Sequence, residues 1–251
     1  MNSIAILSIA HSLQRGKIYK FLSRAFLFPD EPFYKAIREG TFLKGLKEAV
    51  KRYPHRSILE KQLTAFPLEE HSLLDFRVEH TRLFSTSTDF PPYGTDYLSA
   101  HIFMKTQNLA DVAGFYRAFG LQIQGGTERV DHLSVELEFF SYLCLKEAYA
   151  AQREASEDVE ITLSAQKKFL EEHLGRWAPL FLHKFHEATT FDFYKALARF
   201  TRQFLEAEAT FLGVAPDVIT RVTVDAYEPD SFICSVGQFG DSSEPIRMVQ
   251  L

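Results

Sequence analysis

Apolar residues recur at intervals of three and four along most of this chain, a spacing that places them on one face of an α-helix. Clear examples are residues 69–84, 97–119 and 190–213. No sustained alternation of apolar and polar positions, which would indicate strands, precedes residue 220. The pattern therefore predicts an all-α fold, in which residues 1–221 form a single-domain irregular bundle of about ten helices.

Several local signals predict where helices start and end. Ser57 and Glu60 have the spacing of a capping box, in which each side chain bonds the other residue's backbone amide. Gly120 and Gly213 follow apolar periodic stretches and are placed to end helices. The sequence therefore predicts a helix start at Ser57 and helix ends at both glycines.

The C-terminal tail departs from the helical pattern. Residues 222–251 mix β-branched residues with Pro229, Gly237 and Gly240. Prolines and glycines at such intervals interrupt regular structure. We expect a largely irregular tail that packs on the helical body or trails from it.

The most apolar helix is predicted to begin directly after Asp131 and His132. Its apolar residues go most of the way round the helix: Leu133, Val135, Leu137, Phe139, Phe140, Tyr142, Leu143 and Leu145. A helix that is apolar on most sides is buried on most sides, so we expect this helix to be central. Asp131 is placed to act as its N-cap, with the carboxylate accepting backbone amides.

Composition and charge exclude some classes of function. The chain has 28 Lys and Arg against 33 Asp and Glu, so it offers no global positive field for nucleic acid. Its 2 cysteines form no CxxC motif or disulfide framework. The apolar run 4–10 is too short to span a membrane and has no basic residue before it. We therefore expect a cytoplasmic protein with no nucleic-acid partner and no membrane insertion.

The sequence contains no recognisable catalytic motif. GxSxG, HExxH and the glycine-rich phosphate loops are absent. His132 and Glu136 are four residues apart and share a helix face, which is compatible with a metal pair, an acid-base pair or a hydrogen-bonded pair. No further ligands are evident, so we expect no catalytic residues, no metal site and no cofactor. The alternative is a helical enzyme that uses His132 with Glu136 or Asp131.

Carboxylates and aromatic residues recur through the middle of the chain. They are Glu79, Asp89, Tyr93, Asp96, Tyr97, Asp111, Tyr116, Glu128, Asp131, Glu136 and Glu138. An arginine can bind a carboxylate with two parallel hydrogen bonds and can stack on an aromatic ring. This composition suits the binding of an apolar peptide that carries a few arginines.

At these residues the chain resembles the redox-enzyme maturation chaperones of the TorD/DmsD/NarJ family. Five blocks carry the resemblance in the family's order: residues 79–84, 91–97, 115–121, 131–139 and, more weakly, 173–177. Single blocks are not specific, but five in order are. The chain departs from the family at Arg129 and Val130, where a proline is common, and at Phe140, where methionine is frequent.

The resemblance implies a cytoplasmic, helical, non-enzymatic chaperone. Its partner would be the catalytic subunit of a molybdopterin-containing oxidoreductase, bound through an N-terminal twin-arginine or vestigial leader until cofactor insertion, assembly and export. Carried over by position, the leader site would include Leu83, Pro92, Tyr93, Asp131 and His132. Chemistry and proximity in the sequence add Tyr97, Glu128 and Glu136. We expect a monomer or a domain-swapped dimer.

Overall fold

A computed structural model describes residues 3–67, 71–85, 90–98, 102–124, 128–221 and 247–250. The helices are α1 (Ser3–Ala25), α2 (Glu31–Arg38), α3 (Thr41–Lys51), α4 (Arg56–Leu63), α5 (Leu73–Phe84), α6 (Thr95–Leu98), α7 (Ile102–Ala118), α8 (Leu133–Gln152), α9 (Ser156–Phe169), α10 (Gly175–Ala188) and α11 (Asp192–Leu212). A π-helical segment (Leu170–Leu174) joins α9 to α10, and the short strands are β1 (Leu121–Gln124) and β2 (Arg247–Gln250). The prediction of an all-α bundle is confirmed.

Helices α1 and α8 form the most extensive helix pair of the bundle. They approach closely because Gly16 has no side chain; a Cβ there would lie 3.3 Å from the Cβ of Cys144. Ser141 Oγ donates a hydrogen bond to the backbone oxygen of Gly16 across the same contact, at 2.8 Å. The central position predicted for α8 is confirmed by the burial of most of its residues. Among the described residues, no helix has both the length and the hydrophobicity of a transmembrane span.

A charged cluster is buried between four helices of the bundle. Arg15 of α1 donates to both carboxylate oxygens of Glu208 in α11 at 2.8 to 3.0 Å. It also donates to Glu147 of α8 at 3.1 Å and to Gln166 of α9 at 2.6 Å. Ser12 completes the cluster by donating to Glu147 at 2.6 Å. Arg15 and Glu208 are fully buried, so the cluster connects α1, α8, α9 and α11 through interactions screened from water.

The π-helical segment before α10 fixes the position of Trp177. A Cβ on Gly175 would lie 2.4 Å from the backbone oxygen of Leu170, so the tight turn requires glycine. Pro179 lies inside α10 and has no N–H to donate to the preceding turn. Together these irregularities set the direction of the first turns of α10, which carry Trp177 into the core.

Two helix starts differ from the sequence predictions. Helix α4 begins at Arg56 with His55 as its N-cap, and no side chain caps it, so the predicted capping box at Ser57 is wrong. A capping box is present instead at the start of α5, where Ser72 and Asp75 bond each other's backbone amides. Ser57 and Ser72 carry similar local signals, and the tertiary structure forms a capping box only at Ser72.

The end of the chain forms a strand. Residues 247–250 pair antiparallel with β1, with Leu121 opposite Gln250 and Gln124 opposite Arg247. The sequence did not predict this pairing; it predicted a largely irregular tail that packs on the helical body or trails from it. Residues 222–246, the larger part of the predicted irregular tail, lie outside the described residues, and the domain boundary at residue 221 stays a prediction.

Candidate peptide-binding site

Two segments that are distant in sequence pair through their backbones at the start of α8. The Gly94 amide donates to the Asp131 carbonyl, and the Leu133 amide donates to the Pro92 carbonyl, both at 2.9 Å. Tyr93 and His132 thereby face each other as a single antiparallel bridge. This pairing brings together most of the residues that the sequence analysis assigned to the site.

His132, and not Asp131, is the N-cap of α8. Its backbone is extended, and its Nδ1 accepts a hydrogen bond from the Ser134 amide at 3.2 Å. Burial, together with the neighbouring His80 and Arg129, lowers the pKa of His132 to about 3. The ring is therefore neutral at physiological pH. Since Nδ1 is the acceptor, the proton is on Nε2, which faces Glu128 Oε2 at 3.7 Å.

Asp131 is buried and already has hydrogen-bond donors on both oxygens. The Thr95 amide and hydroxyl donate to Oδ2 at 2.9 and 2.8 Å. Arg129 donates to Oδ1 at 3.0 Å and to Oδ2 at 2.8 Å. The prediction that Asp131 caps its own helix is therefore wrong: its carboxylate instead holds the start of α6 against the loop before α8.

Tyr93, Glu128 and Arg129 form the partly exposed face of the site. The Tyr93 hydroxyl donates to Glu128 Oε2 at 3.0 Å. The Arg129 guanidinium lies over the Tyr93 ring, 4.3 Å from its centroid. Burial raises the pKa of Glu128, and the Tyr93 hydroxyl partly offsets that effect. This face presents an aromatic ring with a carboxylate at one edge and a guanidinium on top.

Glu136 and Tyr97 lie beneath the loop that carries Tyr93. The Trp177 indole donates to Glu136 Oε2 at 3.1 Å, and the Tyr97 ring stacks on Trp177 with centroids 5.5 Å apart. A Cβ on Gly94 would lie 2.8 Å from Trp177 Nε1, so only glycine allows the loop to approach this closely. Burial and the charge of Asp131 raise the pKa of Glu136 well above its usual range.

Leu83 is fully buried, and its neighbour Phe84 is the residue that reaches the site. The Phe84 ring stacks on His80 with centroids 4.1 Å apart and lies 6.0 Å from the His132 ring. Burial lowers the pKa of His80 to about 4, so this ring is also neutral at physiological pH. Leu83 and Pro92 are both buried, and Leu83 belongs to the hydrophobic core.

Two of the carboxylates predicted for the site, Asp131 and Glu136, are buried. Both carboxylates are about 1% exposed, whereas Glu128 keeps 29% of its side chain exposed. The sequence showed no signal for a site role of Thr95 or Trp177, and Arg129 stood out only as a departure from the family. A signal for Arg129 was present, since an arginine two residues before an aspartate can bind it locally.

A family model described as nitrate reductase delta subunit matches residues 43–183, more than half of the chain. The chain belongs to this family. The matched region contains all five blocks on which the resemblance rests and every residue proposed for the leader site. The prediction that the chain belongs to the family of maturation chaperones is therefore confirmed.

Relatives of this delta-subunit family protein cover most of its length. The chaperone protein TorD of Aliivibrio salmonicida is 27% identical over 81% of this chain and 97% of the relative. A perchlorate reductase assembly chaperone protein of Dechloromonas aromatica is 28% identical over 79% and 90%. A crystal structure from Archaeoglobus fulgidus, described as a redox enzyme maturation protein, covers 77% of this chain and 93% of that chain, with 21% identity and a TM-score of 0.41. The family consists of maturation chaperones and not enzymes.

The enzyme alternative also fails on geometry. His132 and Glu136 do not pair, because His132 faces Ser134 and Glu128 whereas Glu136 faces Trp177. Asp131 is bound by Arg129 and Thr95. Across the described ranges, no group of three or more His, Cys, Asp or Glu side chains could hold a metal ion.

Replacing Glu136 with Gln should make the protein increasingly more stable than the wild type as pH rises. Since the folded-state pKa of Glu136 lies above its unfolded value of about 4.5, the wild type loses stability when pH rises through that value. Gln does not titrate, so the difference in unfolding free energy should move in favour of the variant as pH rises from that value to neutral pH. Urea unfolding across this range measures it, and a pH-independent difference would contradict the assignment.

Proposed function

We propose that this protein is a cytoplasmic chaperone that binds the N-terminal leader, twin-arginine or vestigial, of a molybdenum oxidoreductase catalytic subunit. It assists that subunit's cofactor insertion, assembly and export. The observation that carries the proposal is the pairing of residues 92–94 with 131–133, which presents the Tyr93 ring beside the Glu128 carboxylate. Relatives described as a chaperone and as a perchlorate reductase assembly chaperone support it.

The partly exposed face has the chemistry to hold an apolar, arginine-containing segment. The partly exposed ring of Tyr93 can pack against apolar side chains or stack under a guanidinium. Glu128 supplies a carboxylate that has only the Tyr93 hydroxyl within hydrogen-bond distance among the described residues. A charge-assisted bond from an arginine to this carboxylate is stronger than a neutral hydrogen bond.

The remaining proposed residues support this face from below. His132 and Asp131 fix the two loops to each other, while Glu136 and Tyr97 with Trp177 form the layer under Gly94. Leu83 and Pro92 contribute buried surface. We infer that Tyr93 and Glu128 contact the leader directly, that Asp131 both fixes the loops and offers its carboxylate, and that the other five residues hold the loops in position, in a monomer or a domain-swapped dimer.

A leader-like peptide with two adjacent arginines and an apolar helix-prone run should bind with an affinity that falls as salt rises. Part of the attraction joins an arginine to a carboxylate, and salt screens such partly exposed pairs. Calorimetry at low and high salt measures the effect. Glu128→Gln keeps the shape of the side chain and should bind more weakly at low salt with a shallower salt dependence. An affinity that is independent of salt in the wild type would contradict the role given to Glu128.

A further inference from the structure

Arg129 is held by the same groups that would bind an arginine from another chain. Its Nε and one Nη bond the two oxygens of Asp131 at 3.0 and 2.8 Å. Its other Nη bonds Asp96 Oδ2 at 3.3 Å. The Tyr93 ring lies beneath it at 4.3 Å. Two carboxylates at the edges of a guanidinium and an aromatic ring on its face make a complete arginine site.

We propose that Arg129 occupies this site in the free protein and that an arginine of the client segment displaces it on binding. This rests on the proposed function, because the client is the leader named there. Arg129 is thus an internal competitor that rejects segments without a suitably placed arginine. It determines specificity and does not simply complete the fold.

Three features favour exchange over a permanent structural contact. Arg129 keeps 38% of its side chain exposed, so an incoming side chain can reach its position. Its partner Asp131 is only two residues away, so breaking the contact opens no long loop. Asp131 also keeps both Thr95 donors when Arg129 leaves. An exchange of one guanidinium for another then conserves the hydrogen bonds at the site.

Arg153 offers a matched control on the same protein. It lies over the Tyr149 ring at 5.4 Å and donates to the Tyr149 hydroxyl at 3.0 Å. It is an exposed arginine on a tyrosine, without an ion pair to a carboxylate among the described residues. Arg153→Ala therefore removes a stacked arginine without opening a site of the kind proposed.

The first test uses a small probe. Methylguanidinium should raise the Tm of Arg129→Ala above the Tm in an equal concentration of methylammonium, since only the guanidinium can refill the vacated site. Wild-type protein and Arg153→Ala should show no such difference. Equal Tm values for Arg129→Ala in the two salts would overturn the proposal.

The second test compares a twin-arginine leader peptide with its twin-lysine version by calorimetry. Removing an internal competitor raises apparent affinity, so Arg129→Ala should bind the arginine peptide about tenfold more tightly than the wild type does. The lysine peptide should gain much less, because Lys cannot make the planar two-bond contact. An equal gain for both peptides means relief of charge repulsion alone and overturns displacement, as does an unchanged arginine-peptide affinity.

If Arg129→Ala does not fold, Arg129→Lys replaces it in the peptide test. Lys keeps a positive charge beside Asp131 but competes less well, so the arginine peptide should bind more tightly than to the wild type. Wild-type affinity in this variant would overturn the proposal.

The experiments distinguish failure of the displacement proposal from failure of the proposed function. Peptide binding that does not change with substitution of residue 129 refutes displacement alone. A methylguanidinium effect without peptide binding to any variant supports the arginine site and refutes leader binding.

Discussion

Replacing Arg15 with Ala should lower the free energy of unfolding by about 4 kcal/mol, the usual loss when one member of a buried ion cluster is removed. The substitution leaves the Glu208 and Glu147 carboxylates without the guanidinium that bonds them. It also removes the packing of that guanidinium over the Phe211 ring, 4.5 Å from its centroid. Urea unfolding followed by circular dichroism measures the change.

A matched control is Arg202→Ala, which removes an exposed pair with Glu206 at 3.8 Å. Exposed pairs contribute little, so its effect should stay below about 0.5 kcal/mol.

If Arg15→Ala does not fold, Arg15→Met combined with Glu147→Gln and Glu208→Gln removes all the charges together. That variant should be close to wild type in stability, because a neutral replacement leaves no buried charge unpaired. A loss below about 1 kcal/mol in Arg15→Ala would contradict the role assigned to the cluster.

The sequence could predict the helices but not the contacts between them. The apolar periodicity of 69–84 and the nearly all-round apolar character of 133–145 both predict helices, and the structure has α5 at Leu73–Phe84 and α8 at Leu133–Gln152. Nothing in the sequence singles out Arg15, because a local pattern does not show that three partners from other helices converge on it. The pairing of β2 with β1 joins segments more than a hundred residues apart and had no local signal either.

Most residues predicted for the leader site lie close together in the fold, but their partners and burial did not follow from residue type. Asp131 is a good N-cap residue by type, yet Thr95 offers it an amide and a hydroxyl from another loop, and His132 caps the helix instead. Glu136 was predicted for the site by its chemistry and position, but the sequence did not show that the Trp177 indole gives it a buried partner. Residue type predicts chemistry, whereas burial depends on how loops and helices meet.

Tyr93→Ala should weaken leader binding by about 2 kcal/mol or more, the usual loss for an aromatic anchor at the centre of an interface. Tyr93→Phe should be nearly silent, because the ring stays under the guanidinium and only the hydroxyl bond to Glu128 is lost. The fold should persist, since the pairing with His132 uses backbone atoms on both sides.

The control is Tyr149→Ala, which removes an exposed tyrosine of α8 and should bind normally. Calorimetry paired with thermal melts separates the outcomes: equal losses for Phe and Ala would make the hydroxyl the recognition element, and normal binding by both would place the leader elsewhere.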